Sequence, residues 1–302
     1  MILTMIAAMA AAAVQPQTVL TIDPRHRLVE GVASDGTTIW VSSILDRQIL
    51  ACRTSCRTLA TLPSGLHPFA ITWDAKRKRL WVGADCPPNV TGIKACERGA
   101  LIGLDARGRI QTRVAPELGT FHPGDVSTAN GEVFVSDSQN GAVYRLTSNG
   151  RALMALVAPG VGKSGQGSAL SADGKQLIVA DYSQGITAID RQGGVRTLLP
   201  RQDGKPLRGV DGLVRCADTY VGVYNGAAPG LLLTIKMRPG GVEYGELIEG
   251  FTMPDPTQVA FDGKRLLVVA DSGWATLDKA GFKRTVGAPV IAIPLGQDCK
   301  PI

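Results

Sequence analysis

Apolar positions along this chain come in short runs separated by Asp-Gly, Asn-Gly or charged turns, and no apolar-periodic stretch of helical length follows the N-terminal segment. In QGSALSADGKQLIVAD, starting at Gln166, two such runs flank an Asp-Gly turn, which predicts a β-hairpin. The same hairpin recurs as EGVASDGTTIWVSS from Glu30, FAITWDAKRKRLWVGAD from Phe69 and GDVSTANGEVFVSD from Gly124. It returns as DGLVRCADTYVGVYN from Asp211 and TQVAFDGKRLLVVAD from Thr257, so successive copies start 39 to 55 residues apart. Two further apolar runs follow each of the first five hairpins, for example AVYRLT and RALMALV in the third.

Four strands per repeat of about 40–50 residues is the signature of a propeller blade. The pattern therefore predicts an all-β, six-bladed β-propeller over residues 18–302. The sixth copy is one strand short, with VIAIPL (Val290 to Leu295) as its third, and TVLTID (Thr18 to Asp23) can supply the missing outer strand. Pairing the two ends of the chain closes the ring and removes an exposed sheet edge.

Composition adds three points. Residues 1–13, MILTMIAAMAAAA, read as a secretory signal peptide, too short to span a bilayer, and no other stretch could span one. Six cysteines in an exported chain point to disulfides: Cys52 with Cys56, Cys86 with Cys96 around CPPNVTGIKAC, and the remaining Cys216 with Cys299. The expected location is periplasmic or secreted. Net charge is +6, but the one dense run, Lys76 to Arg79, falls at a hairpin turn without interleaved aromatics, which argues against nucleic acid. Scattered His26, His67 and His122 and the absence of paired C-x-x-C argue against structural zinc.

The glycine-rich APGVGKSGQGS contains the G-K-S of a phosphate loop, yet Val157 stands where that motif needs its first glycine. A hairpin, rather than a helix, follows. The stretch instead delivers Gln166 to the start of an inner strand. Residues that start the inner strands, Glu30, Phe69, Gly124, Gln166, Asp211 and Thr257, are expected to surround one mouth of the central channel. Two carboxylates and a carboxamide converging there call for a hard cation such as Ca²⁺, with Mg²⁺, Mn²⁺ or Zn²⁺ as alternatives. By contrast, the Asp that closes the second strand of several blades (Asp85, Asp137, Asp181, Asp271) repeats, and is expected to accept backbone N–H bonds at a turn. The Cys86–Cys96 loop joins a second strand to a third and should overhang the same mouth.

VEGVASDG, QGSALSADGKQLIVAD and VDGLV together resemble the gluconolactonase-like six-bladed propellers, the senescence-marker-protein, gluconolactonase and luciferin-regenerating-enzyme family, over about residues 28–295. The resemblance implies a divalent-metal-dependent hydrolase of a lactone or related ester. It implies Glu30, Gln166 and Asp211 as metal ligands, with Gln166 in place of the usual Asn. Gly124 replaces a third-blade Asn, while Asp125 beside it matches the family's Asp. Asp211 or Asp125 is the candidate base, and Lys163, Tyr182, Arg208, Tyr224 and Asn225 are candidates for orienting a small polar substrate such as a sugar lactone. The alternative is a non-catalytic ligand- or protein-binding propeller with a degenerate metal site; a strictosidine-synthase-like member is a third option.

Overall fold

A computed structural model describes residues 15–192 and 194–302. The expected signal peptide lies outside the described residues. Among the described residues, six four-stranded antiparallel sheets account for nearly all regular structure, with one short two-stranded hairpin and a single 3₁₀ turn (Trp274–Thr276) besides. Blade 1 runs Val29–Ser34, Ile39–Ser43, Gln48–Cys52 and Cys56–Thr61, and each hairpin read from the sequence forms the inner pair of a blade. In the fourth blade Gly165–Leu170, Gln176–Asp181, Gly185–Asp190 and Arg196–Leu198 follow the same order. No helix follows GVGKSGQGS; the Lys163 backbone N–H donates to Asp181 Oδ2 at 2.8 Å, so that loop is a blade turn.

The ring closes as expected. Gln17–Ile22 pairs antiparallel with Ala288–Pro294 in the sixth sheet, and the innermost strands pack against one another around the full circle, the sixth against the first. All three expected disulfides are present, and Cys216–Cys299 ties the C-terminal tail to the fifth blade. Between neighbouring blades lie separate apolar clusters, such as Trp81, Leu101, Phe121 and Tyr144 between blades 2 and 3. Such inter-blade burial, rather than one central core, supplies the driving force for the ring. No helix among the described residues is long and apolar enough to cross a membrane.

One local irregularity aims the site. In blades 1 to 5 the pairing between the inner strand and the second strand slips near its start, between Val29 and Val32, Pro68 and Ile71, Pro123 and Asp125, Gly165 and Ser168, and Val210 and Leu213. The residues skipped by these bulges include Glu30, Phe69, Gly124, Gln166 and Asp211. A bulge releases a residue from the ladder and redirects its side chain, and here that happens at the channel mouth.

Candidate active site

Glu30, Phe69, Gly124, Gln166, Asp211 and Thr257 all line one cavity of about 420 Å³ at the channel mouth. The inner-strand register therefore brings together the residues expected there. Glycines next to the site residues make this convergence sterically feasible. A Cβ on Gly31 would stand 2.5 Å from the Phe69 carbonyl oxygen, and one on Gly167 would stand 2.2 Å from the Leu213 nitrogen. Neighbouring inner strands pack too closely at those points for any side chain. The pairs E-G, Q-G and D-G thus combine a functional side chain with a residue that lets the ring tighten.

Gly124 and Gln166 explain each other. A Cβ at Gly124 would lie 2.9 Å from Gln166 Oε1 and 2.6 Å from the Ser138 Cβ. The longer carboxamide fills the space that a third-blade side chain would need. These two departures from the family pattern therefore form one exchange.

The mouth is rich in acceptors and poor in donors. Glu30 Oε2 accepts from the Trp274 indole N–H at 2.6 Å, and Asp211 Oδ2 accepts from the Asn225 amide at 2.8 Å. Their other oxygens have no donor among the described residues. Asn225 also donates to the Pro256 carbonyl at 2.9 Å, which fixes its amide orientation and leaves Oδ1 buried without a partner. Burial first, then the facing Asp211, holds the Glu30 carboxyl well above the ordinary carboxylate range. Burial raises Asp211 to about 6, against the lowering effect of its Asn225 hydrogen bond, and Asp255 adds a further upward push. Each acid thus resists ionising beside the others, so a cation that relieved them would be favoured.

Asp125 sits elsewhere. It lines the chamber below the mouth, where its Oδ1 accepts from Gln258 Nε2 at 2.7 Å and from the Val126 N–H. Gln258 Oε1 in turn accepts from the Val32 N–H at 2.9 Å. Positions equivalent to Gly31, Gly167 and Gly212 in the other blades are held here by Asp125 and Gln258, which reach each other from opposite sides of the ring and cross the axis. Burial raises the Asp125 carboxyl to about 7. Of the two candidate bases, only Asp211 lines the mouth.

Of the expected substrate-orienting residues, Tyr182 and Asn225 line the cavity. The Tyr182 hydroxyl lies 3.4 Å from the Asn225 carbonyl oxygen, and burial raises its pKa. Tyr224 packs over the turn at Gly209 and Gly226. Lys163 and Arg208 are exposed and outside the lining. Asp255 and Trp274 do line the mouth and escaped the sequence reading. Trp274 lies between the second and third strands of blade 6, the same connection as the Cys86–Cys96 loop of blade 2, whose Pro87 also reaches the mouth. Applying the overhang argument to blade 6 would have found it.

Repeated carboxylates behave as turn anchors in blades 3 and 4. Asp137 accepts from the backbone of His122, Gln139 and Asn140, and Asp181 from Lys163, Ser164 and Gln184. Asp85 departs only in part: it accepts the Cys86 backbone N–H at 2.7 Å, but it also lines the mouth and accepts from His122 Nδ1 at 2.9 Å, a bond that raises the His122 pKa. Asp271 departs too, pairing with the Arg284 guanidinium at 2.9 Å.

Among the described residues, no group of three or more His, Cys, Asp or Glu is arranged to hold a metal ion. The expected ligand set has only two carboxylates and completes itself with amide oxygen. Oxygen-only donors and the surplus of unpartnered acceptors suit a hard divalent cation.

No family model matches the sequence, and no curated protein matches it. Solved structures do. A gluconolactonase from Xanthomonas campestris aligns over 94% of this chain and 90% of its own, with a TM-score of 0.63 at 16% identity. A calcium-binding regucalcin from Agrobacterium tumefaciens covers 93% and 95%, at TM-score 0.60 and 17% identity. The PQQ-bound aldose sugar dehydrogenase from Streptomyces coelicolor covers 93% and 98%, at TM-score 0.61 and 14% identity. A luciferin-regenerating enzyme is a further neighbour, at TM-score 0.62. At these identities the likeness is one of fold, and the activities of the neighbours already differ.

Proposed function

We propose that this protein is a gluconolactonase-like, divalent-metal-dependent hydrolase of a lactone or related ester. The observation that carries the reading is the pair Glu30 and Asp211, which share one mouth with no Lys or Arg in its lining and each keep an oxygen without a donor. Glu30, Asp211 and Gln166 would hold the ion, Ca²⁺ first among the choices. A bound ion of this kind polarises a carbonyl and lowers the pKa of water.

Within the chain itself, Trp274 holds the Glu30 carboxylate and Asn225 holds that of Asp211, which limits the rotation of both acids. Asp211 Oδ1 is the oxygen left to take a proton from attacking water. Tyr182, Phe69 and Trp274 wall the cavity. Three disulfides fit export to the periplasm or beyond, which we include in the proposal.

Metal analysis of the purified protein, followed by a lactone panel with and without chelator, tests the reading. Turnover that is lost on chelation and absent in Asp211→Ala is expected. Gly124, which gives the third blade no ligand, favours a second reading as a non-catalytic binding propeller; a chain that binds no metal and turns over no lactone would select it.

A further inference from the structure

The chain carries 32 Lys and Arg against 26 Asp and Glu, yet its mouth is lined by Glu30, Asp85, Asp211 and Asp255 with no basic residue among them. These four acids are not equivalent. Asp85 has His122 as a partner, and Glu30 and Asp211 are the pair assigned above to the ion. Asp255 has no cationic partner among the described residues. Its Oδ2 accepts from the Ser272 hydroxyl at 2.7 Å and from the backbone N–H groups of Gly273 and Ala275, while Oδ1 has no donor among the described residues.

The loop anchored on Asp255 also carries Trp274, whose ring centroid lies 6.4 Å from that of Phe69. Asn225, tied through its amide to the carbonyl of the neighbouring Pro256, contributes the buried Oδ1 that no donor reaches. One end of the mouth therefore offers a carboxylate oxygen, an amide oxygen and two aromatic rings. Carboxylate and amide oxygens receive N–H donors, and aromatic faces attract a positive charge. A sugar would bring hydroxyl donors and C–H faces for the rings, but it would leave the charge uncompensated.

Building on the hydrolase reading, we infer that the substrate carries an organic ammonium group on an apolar body, with the ammonium received by Asp255 and Asn225 against Trp274 and Phe69. The preferred class is a cationic lactone or ester, rather than a neutral or acidic sugar lactone. Asp255 and Trp274 then set specificity, while Glu30, Gln166 and Asp211 serve the reacting carbonyl.

The test compares a γ-butyrolactone bearing a dimethylammoniomethyl group, which keeps one N–H, with its neutral isobutyl isostere, using the full chain with its divalent ion. We expect kcat/KM to favour the charged lactone at least about ten-fold at low salt, because its charge meets an uncompensated carboxylate beside aromatic faces. Asp255→Asn should cut that ratio at least three-fold, and Trp274→Leu carries the same test should Asp255→Asn fail to fold. Equal kcat/KM for the two lactones, or a ratio that neither substitution moves, overturns the inference. If neither lactone is hydrolysed, the hydrolase reading fails on its own, and calorimetric titration with benzylammonium and benzyl alcohol decides the specificity. Binding of the cation alone upholds the inference; binding of both or of neither overturns it.

Discussion

Asp181 and Asp211 occupy neighbouring blades, and their surroundings treat the same carboxylate in opposite ways. Asp181 is saturated: three backbone N–H groups, the Ser183 hydroxyl and the Arg196 guanidinium all donate to it. Asp211 receives one amide hydrogen bond and otherwise faces other acids. Donors around a buried carboxylate make it a structural clamp. A shortage of donors makes it a site awaiting a cation. The side chain alone does not distinguish the two roles.

The largest expected effect separates these roles directly. Asp181→Ala should destabilise the fold by about 3–5 kcal/mol, because it strands buried donors including Arg196, and should leave ion affinity intact. Asp211→Ala should do the reverse, weakening ion binding at least about a hundred-fold while leaving the ion-free fold as stable or more so. Denaturant unfolding and ion titration on both variants check the contrast.

A pH series sharpens it. Asp211 titrates higher in the folded chain than the usual carboxylate, so its protonated form favours the fold. That contribution is fully present below about pH 4 and is lost as pH rises through about 6. Without divalent ion, stability should therefore fall between those limits, and Asp211→Asn should abolish about 3 kcal/mol of the fall, as two pKa units imply. Added Ca²⁺ should flatten the slope. Asp125, raised to about 7, extends the decline towards neutrality by the same sign.

The layer below the mouth gives the next contrast. Gln258→Leu removes the crossbar to Asp125 and strands the Val32 N–H, at an expected cost of about 2–3 kcal/mol in urea unfolding. The smallest effect concerns Gly124 and Gln166. Gly124→Asn should destabilise alone and less so with Gln166→Asn, giving a favourable coupling of about 0.5–1 kcal/mol in a double-mutant cycle.

Much of this architecture was legible in the sequence, because a repeated hairpin carries its own alignment. Strand order and ring closure by Thr18 to Asp23 follow from comparing one blade with the next, and the three cysteine pairs from their spacing along the chain. Glu30, Gln166 and Asp211 were found because they differ at an equivalent register position. Asp125 and Gln258 were not separable from the mouth, because the one-residue offset from Gly124 and Thr257 that sets them a layer deeper leaves no mark in the hydrophobic pattern. Asp255 lies in the connection that leads into blade 6 and Trp274 in its second-to-third-strand connection, both outside the repeated hairpin on which the comparison of blades rests. Lys163 and Arg208 stand near the mouth in sequence but remain in solvent, which already satisfies a long cationic side chain.

Calcium titration of the wild-type chain beside Glu30→Gln and Asp211→Asn tests the central claim most directly. The account predicts one ion per chain in the wild type and none held at comparable affinity in either variant. A wild-type chain that binds no ion, or two variants that bind it as the wild type does, would contradict it.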